Sequence, residues 1–98
     1  MSQSVAVRGF REPQANGGFC AHVVVVNLCP NVTVFTVRAR GVPEGIGRAS
    51  HEFEATNDVP LSGCATNATA GGGFCDKDWG DSLGGYRTAV YRLGCDTA

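Results

Sequence analysis

Cys20 and Cys29 stand near the two ends of one apolar run, FCAHVVVVNLC. A strand rising ~3.3 Å per residue would hold them about 30 Å apart, far beyond the ~6 Å that a disulfide spans. They cannot bridge each other if the run is a single strand. Each is therefore expected to tie this strand to another part of the chain. The cysteines sit at 20, 29, 64, 75 and 95. An odd number leaves one thiol free, or meant for a partner outside the chain.

What the cysteines do depends on their oxidation state. No C-x-x-C occurs, so neither the ligand pairs of ribbon and finger zinc sites nor a thioredoxin-type motif is present. His22 and His51 stand at no helical spacing from a cysteine, and no metal site is expected. No cysteine is flanked by a glycine elbow or a base-bearing motif, so no catalytic nucleophile and no enzyme is expected. Asn31-Val32-Thr33 and Asn67-Ala68-Thr69 both fit the N-glycosylation sequon beside turns. With five cysteines in a small chain, they favour oxidised staples and a secreted protein. The first ten residues, MSQSVAVRGF, carry no charged and apolar leader pattern, which a trimmed mature form would explain.

Ninety-eight residues fit one domain, 1–98. Net charge is −1 without any Lys/Arg run, which argues against nucleic acid as partner. No apolar run approaches the ~20 residues of a membrane span, and no cofactor motif is present. Seven of the eight basic residues are arginine, whose planar multi-donor head favours specific contacts over mere solubility.

The patterning is β throughout. Residues 4–10 alternate weakly before the turn EPQANGG, where Asn16-Gly17 tolerates positive φ. Residues 19–28 form a long strand, with Val23 to Val26 apolar on both faces as in a strand buried between layers. Residues 32–40 form a second strand carrying Arg38 and Arg40 on one face. GVPEGIG reads as a loop, 50–55 as a short strand, 57–73 as a long polar loop, and DKDWGDSLGG as a Gly-rich turn. Residues 86–94 form the closing strand. The expected fold is all-β: a small, disulfide-stapled antiparallel β-sandwich.

The order Glu12-Pro13-x-x-Asn16-Gly17, then Val23-x-Val25-x-Asn27-x-Cys29, resembles the tapetum determinant-like family of plant secreted cysteine-rich proteins. In that family a similar Glu-Pro-x-x-Asn-Gly turn leads into an alternating strand closed by Asn-x-Cys. Cys64-Ala-Thr-Asn-Ala and a last strand ending in Cys95 are similar to its second half. The chain departs at Arg38-Ala-Arg-Gly41, where the family carries a cysteine before Gly-Trp-Phe, and Cys20 and Cys75 are additions. The resemblance implies a secreted signalling ligand for the leucine-rich-repeat ectodomain of a receptor kinase, in plant reproductive development. Binding would use an exposed sheet face with Arg38, Arg40, Arg87, Arg92, Tyr86, Tyr91 and Trp79 as candidate anchors.

Two cysteines gained together are expected to pair, and Cys20 and Cys75 each follow Gly-Gly-Phe. Cys29 would then pair with Cys95 or Cys64, with Cys95 preferred and Cys64 left free or terminally paired. Other readings stay open. A carbohydrate-binding module needs exposed aromatics for stacking sugars, and a small secreted inhibitor or defence effector would use the 57–75 loop. A calcium site or hydrolase at Asp76, Asp78 and Asp81 lacks the frame of an EF-hand loop.

Overall fold

The computed structural model describes residues 5–15, 17–44, 54–57, 65–66 and 73–95. Seven strands account for most of them. They are β1 (Val5–Pro13), β2 (Phe19–Asn27), β3 (Thr33–Glu44), β4 (Glu54–Asn57), β5 (Ala65–Thr66), β6 (Gly73–Leu83) and β7 (Thr88–Cys95). They form a three-stranded sheet, β1-β2-β7, and a four-stranded sheet, β4-β3-β6-β5, with every pairing antiparallel.

Period-2 alternation explains how the two sheets stack. In β2 the odd positions Phe19, Ala21, Val23, Val25 and Asn27 are buried, while His22, Val24 and Val26 are half-buried. In β3 the odd positions Phe35, Val37 and Ala39 are buried until the register shifts before Val42. Val5, Val23 and Val25 of one sheet pack with Phe35 and Val37 of the other. Phe19 and Ala21 pack with Ala39 and Val42, and Trp79 and Leu93 touch both groups. The result is a small antiparallel β-sandwich, as the alternation predicts.

The β1–β2 turn matches expectation at Gly17, and Asn16 lies outside the described residues. Gly17 has φ 86°, its amide donates to the Gln14 carbonyl at 3.1 Å, and the Gln14 amide donates to Gly18 at 2.9 Å. Two elements differ. The stretch read as a Gly-rich turn, DKDWGDSL, lies in the long strand β6, and GVPE continues β3 to Glu44. The short strand expected at 50–55 is found as Glu54–Asn57, and its earlier residues lie outside the described ones.

β6 hides from a hydrophobicity pattern because its core-facing positions include charges that reach the rim. Lys77 Nζ donates to the Leu93 carbonyl of β7 at 2.7 Å. Tyr91 Oη donates to Asp81 Oδ2 at 2.8 Å, and the Ser82 amide donates to Asp81 Oδ1 at 2.8 Å. Polar groups along the seam between β6 and β7 therefore tie the two sheets together by hydrogen bonds.

The cysteine pairing is corrected. Cys20 bonds Cys95, the residue directly opposite it across β2 and β7. Neither Cys20–Cys75 nor Cys29–Cys95 forms. Cys75 belongs to β6 in the other sheet, opposite Val42 and Thr66. Cys29 follows the far end of β2, whereas antiparallel pairing places Cys95 beside its start, a strand length away. Cys29 is a free thiol. Cys64, Asn67 and most of the 57–73 loop lie outside the described residues.

Candidate functional site

The seven residues singled out as partner anchors do not form one patch. Trp79 is half-buried and packs against both halves of the core, so it supports the fold. Tyr91 lies edge-on to Phe35 at 6.2 Å and to Trp79 at 6.0 Å. Such edge-to-face contacts place the positive rim of one ring on the negative face of the next. Only the Tyr91 hydroxyl reaches the seam.

Burial, followed by the bond to the Asp81 carboxylate, raises the Tyr91 phenol to about 12. Asp81 is held below the usual carboxylate range, first by the Ser82 amide and then by the Tyr91 hydroxyl. A phenol whose folded pKa exceeds its unfolded value of about 10 contributes stability that is full below about 10 and lost as pH rises toward 12. Alkaline titration of phenolate absorbance, followed alongside near-UV circular dichroism, should show one step near 12 that Tyr91→Phe removes. Complete ionisation of the tyrosines by the ordinary value of about 10, with the fold intact, would contradict this.

Arg38 and Arg40 do share the outer face of β3, as expected, but Arg38 is committed. Its Nε and Nη2 donate to the two carboxylate oxygens of Asp78, each at 2.8 Å. The Asp78 side chain is 2% exposed, so Arg38 neutralises a charge that water hardly reaches. The same bidentate contact raises the Arg38 pKa. Replacing Arg38 and Arg40 together would therefore disturb the fold as well as a surface, contrary to what a free arginine face implies. Arg40 is exposed, 3.9 Å from Asp76. Asp76 and Asp78 lie near these arginines while Asp81 faces the β6–β7 seam, so the three aspartates do not converge on a cation. Among the described residues no group of three or more His, Cys, Asp or Glu is placed to hold a metal ion.

Arg92 falls on a different surface, the outer face of the β1-β2-β7 sheet, and Tyr86 is exposed in the turn that leads into β7. The register assembles this face row by row. Ala6, Val26 and Thr88 lie abreast, then Arg8, Val24 and Val90, then Phe10, His22 and Arg92. At one end the Asn27 amide donates to the Arg87 carbonyl at 2.8 Å and the Tyr86 amide to the Cys29 carbonyl at 3.0 Å. These bonds carry the contact between the two chain segments past the strand ends, with Leu28 and Tyr86 both exposed there. At the other end lie Glu12 and the Cys20–Cys95 bridge.

This face is unusually apolar for an outward one. Outward positions of an antiparallel sheet usually alternate to polar residues. Here Val90 is 58% exposed, Leu28 49%, Phe10 37% and Tyr86 69%, around a half-buried Val24 and Val26. Val24 and Val26 read from sequence as buried between two layers; among the described strands no third layer lies over them. Arg8 and Arg92 flank the strip, both exposed and without an ion-pair partner among the described residues. Phe10 stacks on His22 with ring centroids 5.0 Å apart, and His22 Nε2 lies 3.9 Å from Glu12. His22 Nδ1 is buried without a hydrogen-bond partner.

One buried side chain, Asn27, sets the Leu28–Tyr86 end of the face. Its Nδ2 donates to the carbonyls of Asn31, Leu83 and Gly84 at 2.8, 3.0 and 2.9 Å. Its Oδ1 accepts from the Cys29 amide at 2.9 Å and the Thr33 hydroxyl at 3.0 Å. The β2–β3 and β6–β7 turns are thus locked to each other. A Cβ on Gly85 would meet the Pro30 carbonyl oxygen at 1.9 Å, so only glycine fits between these turns. Tyr86 itself is held at φ 54°, a left-handed conformation unfavourable for a bulky residue. Arg87, also exposed, completes this turn.

No family model, curated protein or solved structure matches this chain.

Proposed function

We propose that the protein is a non-enzymatic recognition domain that binds another protein through the outer face of its β1-β2-β7 sheet. The observation that carries this reading is the exposed Phe10 and Val90, with Leu28 and Tyr86 exposed at the turn end of the sheet, beside Arg8 and Arg92, which have no ion-pair partner among the described residues. An apolar centre with aromatic and arginine anchors at its rim is the composition of protein interfaces. The flanking arginines call for a partner with carboxylates around an apolar patch. Tyr86, kept rigid in an unfavourable backbone conformation, fits a residue retained for contact rather than for stability.

The finer reading is a secreted signalling ligand whose partner is the leucine-rich-repeat ectodomain of a receptor kinase, as the resemblance to the tapetum determinant-like family implies. A disulfide supports an oxidising compartment. The extended concave surface of a repeat solenoid is a binding surface of the size that a sheet face could occupy. A sugar-stacking module gains little support, because Trp79 and Tyr91 are engaged in the core and Tyr86 alone among the Trp and Tyr residues is largely exposed. The inhibitor reading depends on a loop that lies mainly outside the described residues.

A biosensor panel of leucine-rich-repeat ectodomains tests the reading. For an ectodomain that binds, Val90→Glu with Arg92→Glu should weaken affinity about a hundredfold, as loss of central contacts and charge reversal at their edge would. Arg40→Ala should bind as the wild type does. Equal loss in both variants, or none in the first, would refute the proposed face.

A further inference from the structure

Val34 is 79% exposed, the most exposed large apolar side chain of the described residues, and Val32, in the turn before β3, is 69% exposed. Val34 stands beside Ser82 on the outer side of the other sheet. They flank Thr33, the third residue of the sequon Asn31-Val32-Thr33. We propose that Asn31 is an N-glycosylation site and that its first sugars lie over Val32 and Val34, shielding them from water.

The turn is built to leave the Asn31 amide free. Among the described residues the fold uses only the Asn31 carbonyl, which accepts from Asn27 Nδ2 at 2.8 Å and from the Thr33 hydroxyl at 3.3 Å. Asn31 is exposed, and its side chain makes no hydrogen bond among the described residues. A sugar on Nδ2 therefore projects outward without breaking a bond. The apolar C–H faces of the first sugar rings would give the two valines the cover that the protein does not. The Thr33 hydroxyl, by contrast, is turned inward onto Asn27 Oδ1 at 3.0 Å.

The donor would be a lipid-linked diphosphate oligosaccharide. The bond from sugar C1 to the diphosphate oxygen breaks, and that oxygen leaves with the electron pair. A bond from C1 to Asn31 Nδ2 forms, and the nitrogen gives one proton to a base of the transferring enzyme. No oxidant or reductant is involved. The inference rests on the extracellular part of the proposed function.

The full chain, produced behind a secretion leader in a eukaryotic host, tests it by intact mass and glycopeptide mapping. The leader ensures delivery to the glycosylation machinery, so failure here concerns the site and leaves the question of natural secretion separate. Glycan is expected on Asn31, lost in Asn31→Gln and kept in Thr33→Ser. The glycosylated protein should also bind the dye 1-anilinonaphthalene-8-sulfonate more weakly than secreted Asn31→Gln, and Val32→Ser with Val34→Ser should erase that difference. An unmodified Asn31 in folded, secreted protein would overturn the site. A glycan on Asn31 that leaves dye binding unchanged would overturn the shielding.

Discussion

Replacing Asn27 with alanine should lower stability by roughly 3 kcal/mol, because buried polar groups that lose their partners each cost on the order of 1–3 kcal/mol. The side chain is 1% exposed and serves five backbone or side-chain groups in two turns. The Asn31, Leu83 and Gly84 carbonyls lose a donor, while the Cys29 amide and Thr33 hydroxyl lose an acceptor. Water entering the gap would recover part of that loss. Asn27→Asp should be no better: it keeps the acceptor but sets a carboxylate against three carbonyl oxygens. Urea unfolding followed by far-UV circular dichroism measures both. An Asn27→Ala midpoint within experimental error of wild type would show that the turns hold each other by packing alone. Because Leu28 and Tyr86 are placed by these turns, the variant should also lose partner affinity under conditions where it remains folded.

Removing the Cys20–Cys95 bridge should have a comparable or larger effect. The bond joins residues 75 apart in a chain of 98. On the chain-entropy model its loss costs about 4.5 kcal/mol by freeing the unfolded ensemble. For a domain near 100 residues that corresponds to a fall in Tm on the order of 20 °C. The double variant Cys20→Ser with Cys95→Ser is the right probe, since a single change leaves a thiol free to exchange with Cys29. Cys29→Ser should cost far less, because that thiol bonds no other cysteine. If the order were reversed, the bridge would not be the one that matters for stability.

The two cases show how far a sequence can be read and where it stops. Strands β2, β3 and β7 were legible because Val23, Val25, Val37, Tyr91 and Leu93 alternate with outward residues at the spacing a pleated strand requires. β6 was not legible. Lys77 and Asp81 occupy core-facing positions and become favourable only once Leu93 and Tyr91 of another strand stand opposite them. Disulfide pairing depends on strand order and direction. The twin Gly-Gly-Phe-Cys segments are alike in local sequence, but Cys20 and Cys75 belong to different sheets.

The candidate face was partly visible. Tyr86 and Arg92 were singled out with chemistry suited to it, whereas Arg8, Phe10 and Leu28 were not. Val24 and Val26 gave the available signal, four successive valines in one strand. That signal reads equally as a strand between two protein layers or as one that keeps an apolar face outside. Asn27 was visible only as part of the Asn-x-Cys motif. Its work as a turn lock depends on Leu83 and Gly84, more than fifty residues later.

The central claim, that the outer face of the β1-β2-β7 sheet is the binding surface, is tested most directly by a methyl NMR footprint. Val and Leu methyls would be labelled in this protein, and saturation transferred from a deuterium-free bound ectodomain. The resonances of Leu28, Val24, Val26 and Val90 should lose intensity, and those of Val34 and Val37 should keep it. Loss confined to Val34, with Val24 and Val90 unchanged, would place the partner on the opposite sheet and contradict the account.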